Sequence, residues 1–214
     1  MATITIYGWA PSTYTRTARM YCLEKGVDHT LEPIELHSDA HKALHPFTKI
    51  PIMDHGDFRL YETPAIGRYV DEAFDGPPLQ PTDPEARAMM TQWMTVLEDY
   101  LYGVMIRGIV LPRVVYPMRG LEPDEKLIAE SVPKAAYQLS VLDQGLAGSA
   151  YFAGDAPSLA DWVIEPVITY LRNTPDAGAA VNGSKNVAAW HDRMIARPSF
   201  AATMPPPPEQ NAAE

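Results

Sequence analysis

The stretch Lys49-Ile50-Pro51-Ile52-Met53-Asp54-His55-Gly56-Asp57-Phe58-Arg59-Leu60-Tyr61-Glu62-Thr63-Pro64-Ala65-Ile66 reads as a strand, a tight turn, a second strand and a helix start. Ile52 and Met53 lead into His55-Gly56, a turn pair in which glycine takes the φ > 0 position at no steric cost. Phe58 and Leu60 alternate on the return strand. Thr63 reads as an N-cap and Pro64 as the first helical residue, where a missing N–H costs nothing. Ile66, Tyr69, Val70 and Ala73 give the helix an apolar face. A helix start presents unpaired N–H groups and the positive end of its dipole, which attract a carboxylate. The Glu62 carboxylate beside it suits an ammonium. Together they match a ligand that carries both charges, such as an α-amino acid.

Upstream, Thr3-Ile4-Thr5-Ile6-Tyr7 alternates as a strand, and Gly8-Trp9-Ala10-Pro11 is a loop. Ser12 through Lys25 reads as a helix with Thr15, Ala18 and Cys22 on one stripe and Gly26 as its stop. His29 to Leu36 is a second strand, and Pro33, which cannot donate to a ladder, places it at a sheet edge. Strand, helix, strand, hairpin and helix is the order of a thioredoxin-like α/β domain, expected over residues 1–76. A Pro-rich linker, 77–84, follows.

From there to residue 204 the pattern is helical. Met90, Trp93, Leu97, Tyr100, Leu101 and Val104 recur at helical spacing and predict one long helix. Leu121-Glu122-Pro123-Asp124 opens another, with Leu127, Val132, Leu139 and Leu142 as its stripe and Gly145 near its end. Ser158-Leu159-Ala160-Asp161 has the form of a capping box, with Asp in place of the commoner Glu. An all-helical domain is expected over 85–204 and a disordered tail over 205–214, which opens on Pro205-Pro206-Pro207-Pro208.

These motifs resemble the glutathione transferase family over nearly the whole chain. Ile50-Pro51 stands where the family has a "VP" with a cis proline. Glu62-Thr63-Pro64-Ala65-Ile66 stands where it has "ES-x-A-I", with Thr keeping the hydroxyl. Tyr151-Phe152-Ala153-Gly154-Asp155, Ser158 to Asp161, Pro166, and Asn186 through Phe200 resemble its helical domain. The resemblance implies a thioredoxin-like domain, an all-helical domain, and glutathione as co-substrate. It implies that Ile50 pairs its backbone with the cysteinyl part of glutathione. Glu62 and Thr63 hold the γ-glutamyl end, and Lys49 meets the glycyl carboxylate. His41-Lys42 resembles a glutathione-binding "H-K" of the phi class, although the segment from there to Pro46 is shorter here. Phe47 lies where several classes place an aromatic key that enters the partner subunit, which implies a homodimer.

A glutathione thiol has a pKa of about 8.5, so the thiolate must be stabilised at neutral pH. The donor belongs in the loop after the first strand. Gly8, Ser12, Thr15 and Arg16 match the "G-x-x-x-S-x-x-T-R" pattern of serine-type, phi-like and related bacterial enzymes, which points to Ser12. Tyr7, at the strand end, and Tyr14 are the rival hydroxyls. Ser12 also reads simply as a helix cap. Neither cysteine of a C-P-x-C motif is present at Ala10-Pro11-Ser12-Thr13, so disulfide reduction through a protein cysteine is disfavoured. The electrophile's pocket is expected between the domains; the resemblance implies that the first loop and the long helix after the linker wall it, with Trp9, Tyr100, Tyr102, Met105 and Ile109 as candidates. His37, His41 and His45 recur every four residues, but no further ligand supports a metal, and none is expected.

The 214 residues carry a net charge of −10, which argues against nucleic acid and anionic membranes as partners. One cysteine excludes an internal disulfide and fits a reducing compartment. The N-terminus lacks the basic and apolar regions of a signal peptide, and no apolar run reaches the length of a membrane span. A cytoplasmic protein is expected. The function read from all this is conjugation of the glutathione thiolate to a small hydrophobic electrophile. The alternatives are a non-catalytic binding or scaffold protein on the same fold, or a specialised glutathione-dependent dehalogenase, ether-cleaving enzyme or isomerase.

Overall fold

A computed structural model describes residues 3–205. Strands β1 (Ile4–Tyr7), β2 (His29–Glu32), β3 (Ile52–His55) and β4 (Phe58–Tyr61) form one sheet in the order β2-β1-β3-β4. β1 runs parallel to β2, with Ile4 opposite His29, and antiparallel to β3, with Ile4 opposite His55. Ile4 and Ile6 are fully buried while Thr5 and Tyr7 face the other way, as a period of two requires. Helix α1 (Thr13–Lys25) starts at an N-cap Ser12 and stops at Gly26, whose φ of 79° is left-handed. It buries Thr15, Ala18 and Cys22, the predicted stripe. Helices α2 (Asp39–Leu44) and α3 (Thr63–Ala73) complete this half.

Several local expectations shift by a residue or more. β2 ends at Glu32, ahead of Pro33, although its edge position is as expected. His55 is the last residue of β3 and pairs with Phe58, so the hairpin loop is Gly56-Asp57, with Gly56 at φ 61°. Glycine at the first central position suits a two-residue hairpin turn. β4 is an edge strand without clean alternation, and Phe58 is 45% exposed. Helix α3 begins at Thr63, with Glu62 rather than Thr63 as its cap residue and no side chain capping it. The reason is that β4 runs to Tyr61, which leaves one residue to turn from strand to helix. Ile66 and Val70 form the buried face; Ala73 is exposed.

The Pro-rich segment is tied down at Leu79, which is fully buried. Its N–H donates to the Asp71 carboxylate at 2.8 Å, which also pairs with Lys25 at 2.8 Å. Its carbonyl accepts from the Leu159 N–H at 3.0 Å. Helix α4 (Pro84–Val96) then runs into wide turns over Leu97–Leu101 and Gly103–Val115. There N–H groups reach back five residues: Tyr102 donates to the Leu97 carbonyl and Tyr116 to that of Leu111. The chain bends by 51° between 84–101 and 103–118, so the predicted single helix is broken in direction. A short α5 (Tyr116–Met118) precedes α6 (Glu125–Gly145). The buried stripe of α6 is Ile128, Ser131, Ala135, Leu139 and Leu142, whereas Leu127 is exposed.

Helix α7 (Leu159–Arg172) is the centre of the helical half and is buried on nearly every side. Helices α8 (Gly178–Gly183) and α9 (Lys185–Ile195) pack against it, and α10 (Pro198–Thr203) packs on α1 and α9. The capping box at the start of α7 is present. Asp161 accepts from the Ser158 N–H at 2.8 Å, the Ser158 hydroxyl at 3.0 Å, the Phe152 N–H at 3.1 Å and the Trp190 indole at 2.8 Å. α1 docks on α7 through the Tyr21 hydroxyl, which donates to the Leu159 carbonyl at 3.0 Å, and the Thr17 hydroxyl, which reaches the Trp162 carbonyl at 3.3 Å.

Among the described residues no single helix is long and apolar enough to cross a membrane. The bent 84–118 pair has the composition of a span, but Met90, Leu97, Leu101, Met105 and Ile109 are core side chains. All but the first residue of the predicted tail lies outside the described residues.

Asp161→Ala leaves a buried indole and two N–H groups without an acceptor. The expected loss is about 3 kcal/mol or more, read as a fall in the urea midpoint. Leu127→Ala, on the exposed side of α6, should stay within about 0.5 kcal/mol.

Candidate active site

The loop from β1 to α1 is folded back tightly. The Gly8 N–H donates to the Glu32 carbonyl at 3.0 Å, and a Cβ on Gly8 would lie 2.3 Å from the Thr15 hydroxyl. Glycine and threonine at these two positions therefore belong together. The Ser12 N–H donates to the Trp9 carbonyl at 2.9 Å, and its Oγ accepts the Thr15 N–H at 3.4 Å. Among the described residues nothing accepts the Ser12 hydroxyl proton. No acidic residue lies in the first turn of α1, so the positive end of that helix is unneutralised where the hydroxyl sits. From behind, the Tyr170 hydroxyl donates to the Pro11 carbonyl at 2.7 Å.

The facing wall is residues 36–51. His41 is fully buried; its Nδ1 accepts the His37 N–H at 3.1 Å and its Nε2 bonds the Lys49 carbonyl at 3.0 Å. It thus holds the segment that leads into Ile50-Pro51, a cis peptide bond as expected. Lys42 is exposed and pairs with Asp39 at 2.9 Å, so neither member of the His-Lys pair reaches the cleft. The His45 ring lies 4.3 Å from that of Tyr61, its Nδ1 accepts the Phe47 N–H at 3.0 Å, and burial pushes its pKa down. Among the described residues no group of three His, Cys, Asp or Glu side chains is placed to hold a metal.

Glu62 has φ 72° and ψ 113°, a conformation that costs a residue with a Cβ about 1–3 kcal/mol. Its carbonyl still accepts the Ile66 N–H at 3.0 Å, the first bond of α3. Among the described residues three non-glycine residues have positive φ, His37, Thr48 and Glu62, and all three border the same cleft.

That cleft has a volume of about 530 Å³. Ser12, Lys49, Ile50, Pro51, Glu62 and Thr63 all line it, so the residues singled out across fifty positions of sequence converge. Tyr14 and Tyr102 line it too, stacked with ring centroids 4.8 Å apart. Burial, followed by Tyr102 and Glu98, pushes the Tyr14 pKa far up. Tyr7 lies elsewhere, on the other face of the sheet, where burial and the Asp54 carboxylate raise its pKa. Trp9 is 41% exposed and is not part of the lining. Met105 and Ile109 are fully buried core residues, and Tyr100 belongs to a separate groove.

The cleft side of the bent helix is instead Glu98, Tyr102, Arg107 and Leu111. Their spacing stretches beyond the 3.6 residues of an α-helix because the turns there are wide, so an α-helical reading puts the wrong side chains forward. Burial and then the charge of Glu62 push the Glu98 carboxyl up. Cys22 is buried, with its pKa pushed up to about 12, and lies outside the cleft. The arrangement offers a hydroxyl donor at a helix start, an uncapped second helix start beside a carboxylate, a lysine, and a wall of stacked aromatic rings.

The family described as "Glutathione S-transferase, N-terminal domain" matches residues 6–78, and "Glutathione S-transferase, C-terminal domain" matches residues 88–198. "Glutathione S-transferase F9" of Arabidopsis thaliana is 34% identical over 196 residues, covering 88% of this chain and 91% of the relative. "Glutathione S-transferase 3" of Zea mays is 32% identical over 226 residues, covering 99% and 100%. Among solved structures, glutathione transferase F7 from Populus trichocarpa superposes with a TM-score of 0.86 at 31% identity, covering 94% and 97%. Glutathione S-transferase I from maize, solved with an atrazine glutathione conjugate, superposes with a TM-score of 0.84 at 28% identity, covering 94% and 96%. The chain belongs to the glutathione S-transferase family.

Proposed function

We propose that this glutathione transferase joins the glutathione thiolate to a small hydrophobic electrophile, and that Ser12 donates the hydrogen bond that keeps the thiol ionised. The observation that carries this reading is the Ser12 hydroxyl at the unneutralised start of α1, in one cleft with Lys49, Ile50, Glu62 and Thr63. Glu62 receives the α-ammonium of the γ-glutamyl group, and the start of α3 at Thr63 receives its carboxylate. The Ile50 backbone, beside Pro51, pairs with the cysteinyl part, and Lys49 meets the glycyl carboxylate. Holding the thiol pKa about two units low requires roughly 2.7 kcal/mol of preference for the anion. A hydrogen bond to a charged group supplies about 1.5–3 kcal/mol, and the helix dipole adds to it. The thiolate sulfur then bonds the electrophilic carbon, and the leaving group departs with its electron pair. Tyr102, Leu36 and Leu111 offer the apolar surface beside that point. The reaction suits a detoxifying role in the cytoplasm, where glutathione is kept reduced.

The protein also acts, in this proposal, as a homodimer. Phe47 is 68% exposed on the sheet-bearing half. An apolar groove of about 690 Å³ between the bent helix and α6 is lined by Val96, Tyr100, Leu101, Val104, Tyr137 and Val141. Tyr100 and Tyr137 are 63% and 71% exposed there. An exposed aromatic and an unfilled apolar groove on opposite halves of one chain suit a two-fold pair in which each Phe47 enters the other's groove.

Ser12→Ala should lower turnover at pH 6.5 by about ten- to a hundred-fold, the equivalent of about 1.5–3 kcal/mol. Its bound thiol pKa rises toward that of free glutathione, so raising the pH restores part of the rate. Full activity of Ser12→Ala at pH 6.5, with loss in Tyr14→Phe or Tyr7→Phe, assigns the donor to a tyrosine instead. By calorimetry, Glu62→Ala should weaken glutathione binding by about 1.5–3 kcal/mol. Absence of glutathione binding to the unaltered protein at millimolar concentration would sink the whole reading. Sedimentation should give a dimer mass, and Phe47→Ala should loosen the dimer by about ten-fold or more. A monomer at all concentrations rules the dimer out.

A further inference from the structure

We infer that the electrophile this site prefers carries a carboxylate, and that Arg107 receives it. The inference rests on the reading above, in which glutathione occupies the part of the cleft bordered by Ser12, Lys49, Ile50, Glu62 and Thr63.

Arg107 projects into the cleft from the wide-turn segment, between Tyr102 and Leu111. Its guanidinium carbon lies 5.6 Å from the centre of the Tyr102 ring, which in turn stacks on Tyr14. Arg107 is exposed to solvent at the mouth of the cleft, with its guanidinium over the Tyr102 ring, a placement that suits a guanidinium plane. Among the described residues it forms no ion pair within 4.0 Å and no hydrogen bond.

The charges of glutathione do not account for it. Its ammonium goes to Glu62, its α-carboxylate to the start of α3, its glycyl carboxylate to Lys49 and its thiolate to Ser12. Arg107 is then the cation that remains, beside Leu36, Leu111 and Tyr102. A guanidinium fork matches a carboxylate in two parallel hydrogen bonds, and apolar neighbours strengthen them by excluding water. The ligand that complements this half of the cleft is a flat apolar body with a carboxylate at its far end.

The test compares para-chloro-meta-nitrobenzoate with the matching carboxamide. In both, the thiolate sulfur bonds the ring carbon and chloride leaves with the electron pair of the C–Cl bond, with no redox step. Rates are divided by the uncatalysed rate with glutathione, which removes the difference in ring activation. The intact enzyme should favour the acid in kcat/KM. Arg107→Gln should cut the acid-over-amide ratio by about ten- to a hundred-fold, mostly through KM, and Arg107→Lys should keep part of it. Salt should erode the preference for the acid in the intact enzyme but not in Arg107→Gln. No preference for the acid, or an unchanged ratio in Arg107→Gln, overturns the inference. So does weaker glutathione binding in Arg107→Gln with the ratio unchanged, which gives Arg107 to the tripeptide. Conjugation of the amide without any preference for the acid removes this inference alone. Failure to conjugate either compound, together with no glutathione binding, removes the transferase reading as well.

Discussion

The guanidinium of Arg16 is fully buried where α1 meets the helical half, and the site depends on where that contact holds α1. Its partner is the Glu165 carboxylate at 3.8 Å, and it lies over the rings of Tyr170 and Phe200 at 5.4 and 5.2 Å. Burial pushes Glu165 up to about 7, while the Arg16 charge and the Thr169 hydroxyl pull it down. Behind Glu165 runs a directed chain of donors. Arg172 donates to His191, His191 bonds Thr169, and Thr169 donates to Glu165. Burial, then the Arg172 charge, pushes His191 down to about 4, which suits its neutral part in that chain. A buried ion pair adds little net stability, but removing one member leaves an uncompensated charge and costs about 3–5 kcal/mol. The pair therefore acts as a register pin between the two halves. Tyr170, whose ring Arg16 covers, is the residue that bonds the Pro11 carbonyl one position before Ser12.

With α1 held in this way, the cleft is built from places where the backbone gives up ordinary geometry. His37, Thr48 and Glu62 all adopt positive φ, and all border it. Strain of this kind persists only where surrounding packing overdetermines it. The buried His41, with both ring nitrogens in use, supplies that packing for the 37–49 segment. For Glu62 the cause is the direct turn from β4 into α3. The result is two helix starts, at Ser12 and Thr63, opening into one cleft in a protein whose net charge is −10. Local dipoles and single cations, rather than the overall balance, set the electrostatics that an anionic co-substrate meets.

Much of this was legible in the chain, because short-range chemistry reports itself in short stretches. The alternation of Thr3 to Tyr7, the cap at Ser12, the stop at Gly26 and the box from Ser158 to Asp161 each follow from local hydrogen bonding. Where local rules compete, the reading slipped by small steps. Thr63 has the chemistry of a cap, yet the strand before it runs on until only Glu62 is left to turn. His55-Gly56 looks like a turn pair, yet pairing of His55 with Phe58 makes the loop Gly56-Asp57.

The sequence by itself determined the order of elements, the two halves, and the members of the cleft whose neighbours spell a motif: Ser12, Lys49, Ile50, Pro51, Glu62 and Thr63. Only the tertiary structure decided which face of the 97–115 segment meets the cleft. An α-helical period groups Met105 and Ile109 with Tyr102 on one face, whereas the wide turns bring Glu98, Tyr102, Arg107 and Leu111 to the cleft and leave Met105 and Ile109 in the core. The physical reason is that a hydrogen-bonding step of five instead of four is chosen by packing, not by the residues' own preferences. Nothing in the spelling of a helix announces it.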